Sequence, residues 1–289
     1  MEEESIHRHR IKGDKKMATF NGVADTLFIP LTARIYISKH FPSYFYDEKS
    51  LEIERIIPSS FLTNKSNQYQ QFANVSCYFN MDRISKEFIA RNGDCNIVSL
   101  GCGLETAYWR IASKEATFYE LDLPEVIAKR KEILGKGEKE VLLPYSMFDP
   151  EWTKLVRKDK PTLLTARGVF EYFEADEIIT FLLELKRILP GAEVVFDCPN
   201  SKALGYTNRY VKKTGNQNAA ICFYVDDASE FAAKCHASLL GHETFFTKTR
   251  EVVRKGRNLY TKIAMWLVDK KKMGNIIHLR LGGNYGEKI

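Results

Sequence analysis

Asn96-Ile-Val-Ser-Leu-Gly-Cys-Gly-Leu-Glu-Thr106 is the stretch that decides the fold. Residues 96–100 form a short, largely apolar run suited to a buried strand, and Gly101-Cys-Gly103 follows without a linker. A helix-compatible segment begins near Leu104, and Phe118-Tyr-Glu-Leu-Asp122 closes a second strand about twenty residues beyond the glycines. Strand, glycine turn, helix, strand and acid, in that order, is how a parallel α/β sheet holds the ribose of an adenosine ligand. Glycine carries no Cβ, so the main chain turns sharply there and approaches a ligand closely. An acid at the second strand's end can accept hydrogen bonds from both ribose hydroxyls. A Gly-x-Gly after an apolar run also occurs as an ordinary strand-to-helix turn; Asp122, at this distance, is what adds weight to the ligand reading.

A dinucleotide site would want a third small residue near Thr106, where the helix start sits against a pyrophosphate. The chain reads Gly-Leu-Glu-Thr instead, which places the Glu105 charge where phosphates would lie. The pattern therefore favours an adenosyl ligand without phosphates, such as S-adenosylmethionine.

Three blocks, Val98-Ser-Leu-Gly-Cys-Gly-Leu-Glu-Thr106, Tyr119-Glu-Leu-Asp-Leu-Pro-Glu125 and Ala166-Arg-Gly-Val-Phe-Glu-Tyr-Phe173, resemble successive blocks of one family. It is the leucine carboxyl methyltransferase family, which also holds the tetracenomycin-type polyketide O-methyltransferases. The Asp-Leu-Pro is the most specific of the matches, and the likeness runs from about Gly22 to the end of the chain. The resemblance implies an α/β, Rossmann-like class I methyltransferase fold, a mostly parallel seven-stranded sheet with helices on both faces and a helical N-terminal cap. Residues 1–17, charged and nearly devoid of apolar residues, read as a disordered leader; the divisions implied by the resemblance are the cap (18–92) and a core (93–289) with a lid insertion at about 200–227. The implied cofactor is S-adenosyl-L-methionine, and the implied partner is a small-molecule acceptor.

On the matching positions, the resemblance implies close backbone approach at Gly101, Cys102 and Gly103, and ribose binding by Asp122 with Leu123 beside it. Glu120 is the weaker alternative, one side-chain repeat earlier on the strand. Relatives carry an Asp-Leu pair near the third strand, the acid reaching the adenine amino group. Here Ser146 and Met147 stand there, followed by Phe148: the hydroxyl offers one hydrogen bond and either apolar side chain can pack on the ring. Arg34 matches a basic position near the cofactor's carboxylate; a cap salt bridge is its other reading.

Besides Ser146, two further positions depart from the family. Cys77 stands five residues before Asp82, where relatives place an arginine that grips the methionine carboxylate. Arg167 stands where relatives place a glutamate near the α-amino group. An arginine lost at 77 and gained at 167 reads as compensation; holding an acidic group of the substrate is the alternative. Tyr172 matches a tyrosine beside the transferred methyl and is the candidate catalytic residue, with packing in the core as its rival reading. The sequence names no general base.

Formal net charge is +6, and the basic residues form no long block, which argues against nucleic acid as a partner. Arg254-Lys-Gly-Arg257 and Lys270-Lys-Lys272 are short clusters suited to solvated faces, or to steering an anionic substrate. No apolar run approaches the ~20 residues of a membrane span, and no signal core opens the chain. A cytoplasmic protein without a membrane partner is expected. Six cysteines without a Cys-x-x-Cys pair, and scattered histidines, give no metal constellation and suggest free thiols.

Along the chain, helices are expected over Gly22–Arg34, Asp47–Ile56, Ser66–Asn92, Pro124–Leu134, Glu174–Leu189, Ala228–Leu240 and Arg257–Lys272. The last rests on Leu259, Ile263, Trp266 and Leu267, which keep a helical phase. Strands are expected at 96–100, 116–121, 140–143, 161–166 and 192–198, then His242–Thr247 and an antiparallel Ile276–Leu281. After Pro199 the alternation breaks, and residues 200–227 read as a lid or as a solvated loop. The resemblance implies O-methylation of a small molecule's hydroxyl or carboxylate, in secondary metabolism. The alternatives are a protein C-terminal carboxyl methyltransferase and a scaffold that keeps the fold without catalysis. A nicotinamide-dependent dehydrogenase stands third, against the acid at 105.

Overall fold

The computed structural model describes residues 27–57, 66–213 and 221–282. The expected leader, residues 1–17, the first part of the helix expected from Gly22, and Thr214-Gly215 of the insertion lie outside them. Helix α1 covers residues 27–40 and α2 covers Glu48–Ile53, where Asp47 accepts the backbone N–H of Ser50 and caps the helix start. Helix α3 (Gln68–Asn92) opens on a capping box formed by Asn67 and Gln70, which satisfies two otherwise orphaned backbone N–H groups.

Strand β1 (Asn96–Leu100) runs into the glycine turn and α4 (Ala107–Ile111). Strand β2 (Thr117–Asp122) leads to α5 (Pro124–Leu134), whose proline sits at the first helical position, where its missing N–H costs nothing. Then come β3 (Glu140–Pro144), β4 (Thr162–Ala166), α6 (Ala175–Ile188) and β5 (Glu193–Pro199). The chain continues through α7 (Ser201–Lys213), α8 (Ala228–Lys234) and β6 (Ala237–Thr244), and ends with α9 (Thr247–Val252), α10 (Leu259–Lys270) and β7 (Gly274–Leu281).

The seven strands order as β3-β2-β1-β4-β5-β7-β6. Pairing from β3 to β5 is parallel, and β7 is antiparallel to both β5 and β6. Strands β1 and β4 are buried along their whole length, because helices cover both faces. On one face Met81, Ile84, Phe88 and Ile89 of α3 pack against Ile97, Phe118, Leu163, Val195 and Ile276. On the other, Ile178, Phe181, Leu182 and Leu185 of α6 pack against Val98, Leu100, Leu164 and Val194. The expected mostly parallel seven-stranded fold is what forms.

One local expectation is corrected. The helix expected over Ala228–Leu240 stops at Lys234, His236 takes a left-handed backbone (φ 47°), and Ala237–Thr244 is already strand. The open edge of β7 offers a backbone ladder to this segment, and ladder pairing outweighs its local helical preference. Within the segment read as lid or loop, residues 201–213 are helical, and among its other described residues 221–227 run without regular structure. Helix α10 forms, yet its marker residues Leu259, Ile263, Trp266 and Leu267 face solvent, while Thr261 and Met265 are buried.

Candidate active site

Parallel strands end on one edge of the sheet, and order reverses between β1 and β4, so a crevice opens outside their carboxyl ends. Gly101 and Gly103 adopt φ of 57° and 47°, a region that side chains with a Cβ rarely enter. A Cβ at Gly101 would lie 2.5 Å from a Val169 methyl, and one at Gly103 2.7 Å from Leu27. The turn is thus clamped between the loop after β4 and helix α1. Cys102 donates its N–H to the Leu121 carbonyl at 3.0 Å, and burial pushes its thiol well above its ordinary pKa, so it is no nucleophile.

Asp122 closes the other side. One carboxylate oxygen accepts the Gly103 N–H at 2.8 Å and the other accepts the Leu123 N–H at 2.8 Å. Each oxygen keeps a further lone pair. Burial raises the pKa of this carboxyl, and the two N–H groups only partly offset it. A half-buried acceptor with spare capacity suits a neutral diol, which is the chemistry of a ribose. Leu123 is exposed beside it. Glu120 is fully buried instead, neither oxygen accepts a hydrogen bond among the described residues, Arg130 lies 3.7 Å away, and burial pushes its pKa up to about 7. It lies beneath the turn, away from solvent.

Arg130, fully buried on α5, donates to the carbonyls of Gly103 at 3.1 Å and Glu105 at 2.5 Å, and pairs with Glu140 at 2.6 Å. It holds the turn from below. Sequence reading missed it because its partners come from the turn and from β3.

Three arginines and three acids meet behind the crevice. Arg110 binds both oxygens of Asp82 at 2.7 and 2.9 Å and reaches Glu105 at 2.8 Å and Asp47 at 3.4 Å. Arg34 donates to the Leu104 carbonyl at 2.6 Å and to Thr106 at 3.1 Å, and lies 3.6 Å from Asp47. Arg167 binds Glu105 at 2.6 Å and Asp82 at 3.5 Å, and its Nε has no partner among the described residues. All three guanidinium groups lie over the Tyr78 ring. Burial works against the Glu105 charge, but Arg110, Arg167 and Arg34 hold the carboxyl well below its usual range. The Cys77 thiol is pushed up by burial, with Asp197 raising it further and Arg167 lowering it.

Ser146, Met147 and Phe148 follow β3 on the same edge. The Ser146 hydroxyl accepts the Phe148 N–H at 3.3 Å, Met147 is buried, and the half-exposed Phe148 meets Phe173 edge-on at 4.8 Å. Tyr172 is also half-exposed and not a packed core residue. Its phenol is pushed up by burial and by the nearby Glu171 and Asp197.

Glu171 and Asp197 are the pair the sequence did not reveal. Asp197, near the end of β5, accepts the Gly168 N–H at 2.7 Å, while a Glu171 oxygen would lie 3.7 Å from a Cβ at Gly168. Burial raises both, Glu171 up to about 8 with Asp197 raising it further, and Asp197 up to about 6 although the Gly168 N–H and Arg167 oppose the rise; these values belong to the pair rather than to either group. The backbone carbonyl of Glu171 also accepts the Cys222 N–H at 2.7 Å, tying the end of the 200–227 insertion to the site.

A sheet ordered β3-β2-β1-β4-β5-β7-β6 with β7 antiparallel, and a glycine turn and β2 acid at its carboxyl edge, defines the class I methyltransferase fold. The leucine carboxyl methyltransferase family model matches residues 63–185, which bears out the recognition made from the three sequence blocks. The tetracenomycin polyketide synthesis O-methyltransferase TcmP of Streptomyces glaucescens is 23% identical over 192 residues, covering 66% of this chain and 70% of that protein. An S-adenosyl-L-methionine-dependent methyltransferase of Gibberella zeae, dpfgK, is 24% identical over 306 residues, covering 94% of this chain and 97% of that protein. Among solved structures, a duf574 family protein from Streptomyces avermitilis superposes with a TM-score of 0.53 at 14% identity. It covers 86% of this chain and 96% of that one, a likeness of fold.

Proposed function

We propose that this protein is an S-adenosylmethionine-dependent O-methyltransferase acting on a small molecule, in secondary metabolism. The observation that carries the reading is the Asp122 carboxylate, held by the Gly103 and Leu123 N–H groups at the carboxyl edge with acceptor capacity to spare. The relatives TcmP and dpfgK, methyltransferases by name, support it. Bound S-adenosylmethionine supplies an activated methyl group, and the protein supplies position, desolvation and any deprotonation of the acceptor.

In this reading Asp122 takes the ribose hydroxyls, and Ser146, Met147 and Phe148 border the adenine. Arg167 uses its unpartnered Nε toward the cofactor's carboxylate, with Cys77 leaving the room. Arg34, bound to Leu104, Thr106 and Glu105 and 3.6 Å from Asp47, acts through the turn by fixing Glu105 and Thr106. Tyr172 orients the acceptor oxygen. The Glu171–Asp197 pair accepts a proton at the same loop, which favours a hydroxyl acceptor, because a carboxylate needs no base.

Isothermal titration tests this directly. Micromolar binding of S-adenosylmethionine and S-adenosylhomocysteine is expected, with none of NADH. Asp122→Ala should weaken both about 10- to 100-fold, the worth of one to two hydrogen bonds to a charged group. Arg167→Ala should weaken them at least tenfold, about 1.4 kcal/mol; unchanged affinity would rule out the compensation of Cys77 by Arg167. A well-folded protein that binds neither adenosyl ligand would leave the scaffold reading in place.

A further inference from the structure

Helix α10 is apolar on two sides. Thr261 and Met265 are buried, and Met265 packs in the cluster that holds Phe72 and Phe246. The opposite side carries Leu259, Tyr260, Ile263, Trp266 and Leu267, exposed between 38% and 74%. At 100° per residue these five fall within a stripe about 120° wide. A helix apolar all round is normally covered, and a contiguous exposed apolar patch marks an interaction surface.

The rim of the stripe is basic. Seven basic residues and one acid lie between Val252 and Lys272, so this short segment carries a net charge equal to the whole chain's formal +6. Arg254, Lys255, Lys262, Lys270, Lys271 and Lys272 are all exposed. None of these six has a carboxylate partner among the described residues, unlike Lys39, Lys129, Lys154 and Lys234 elsewhere on the surface. The single acid, Asp269, is engaged by Arg250 and by the Phe246 N–H. The Lys270 ammonium lies over the Trp266 ring at 4.7 Å, a cation–π contact that sets a positive charge directly against the apolar stripe.

We infer that α10 and its basic flanks form a docking surface for an anionic lipid bilayer, on which the helix lies with Leu259, Ile263 and Trp266 turned into the headgroup–acyl boundary. Apolar residues with an interfacial tryptophan, bordered by lysines and arginines, are what an in-plane helix requires, and anionic headgroups supply the charge that the unpaired rim lacks. A second copy of the chain is the poorer occupant, since a two-fold contact here would bring two such positive surfaces together. A nucleic acid would answer the charge and leave Leu259 and Ile263 uncovered. The absence of any helix long and apolar enough to cross a membrane among the described residues bears on spanning only, so the expectation of no membrane partner is revised.

The test is vesicle co-sedimentation of the full chain, with phosphatidylcholine alone and with phosphatidylcholine containing one-third phosphatidylserine. Binding to the anionic vesicles is expected at least tenfold above the neutral ones, falling as salt rises. Ile263→Ser with Trp266→Ser, and separately Lys270→Glu with Lys271→Glu and Lys272→Glu, should each reduce it at least tenfold. Melting temperature and S-adenosylmethionine affinity should stay unchanged in both variants, because these side chains are exposed and none belongs to the groups assigned to the cofactor or to the acceptor. Equal binding to both vesicle types, or full binding by the serine variant, would overturn the assignment. So would a concentration-dependent dimer, seen by light scattering, that either variant abolishes without a change in vesicle binding.

Discussion

Glu171→Gln is expected to lower kcat on a hydroxyl acceptor by about 10²- to 10⁴-fold, the usual contribution of a positioned general base, while making the protein more stable above neutral pH. Both effects have one cause. Burial and the neighbouring Asp197 raise the Glu171 carboxyl up to about 8, far above an unfolded glutamate at about 4.3. Between those values the folded state binds more protons than the unfolded one, so stability falls as pH rises through that window. Glutamine removes the ionisation and with it the fall. Melting curves should therefore coincide for the two proteins near pH 4, and the variant should melt progressively higher as pH increases toward 8. In the wild type, kcat on a hydroxyl acceptor should climb over the same range as the pair loses its proton. Asp197→Asn is the companion variant, since an amide oxygen can still accept the Gly168 N–H. If Glu171→Gln keeps full kcat with a hydroxyl acceptor, the pair is not the base. Full kcat with a carboxylate acceptor only would instead identify the acceptor class.

The sequence exposed the fold because its information there is local. Residues 96–106 carry strand, turn and helix start within eleven residues, and Asp122 follows at a distance fixed by a single crossover. The β1 bounds agree residue for residue, and β2 to β5 differ by about one residue at each end. Segment 228–240 was misread because its strand exists only through pairing with β7, which comes about forty residues later. Phase alone found α10 but could not say which side was covered. The site was legible to the extent that its groups lie on the turn and strand ends. Its charge cluster was not, because Arg34 meets Glu105 across 71 residues and Arg167 meets Asp82 across 85. Glu171 stands next to the noticed Tyr172, yet its shifted proton comes from burial and from Asp197 arriving on β5, and the sequence displays neither.

Arg110→Leu is expected to cost about 3–5 kcal/mol of stability, the range for breaking a buried ion pair from one side. The loss would appear in urea unfolding as a lower midpoint with an unchanged slope. Arg110 is almost wholly buried, and it alone holds both oxygens of Asp82 at hydrogen-bond distance. The six charges of Arg34, Arg110, Arg167, Asp47, Asp82 and Glu105 cancel, so its loss leaves a net negative charge in a buried cluster. Arg110→Leu with Asp82→Leu removes both partners of the tightest pair and should recover at least half of the lost stability, because replacing a whole pair by apolar side chains is close to neutral. The double variant also decides what the cluster does for function. Asp82 lies 3.5 Å from Arg167; when Arg110 alone is lost, Asp82 draws Arg167 away from the crevice and S-adenosylmethionine binding should weaken with stability. In the double variant that pull is absent, so binding should return even though Arg110 is missing. Recovery of stability without recovery of binding would mean that Arg110 positions the cofactor site through Glu105 and Thr106, and that the poise of Arg167 does not depend on Asp82.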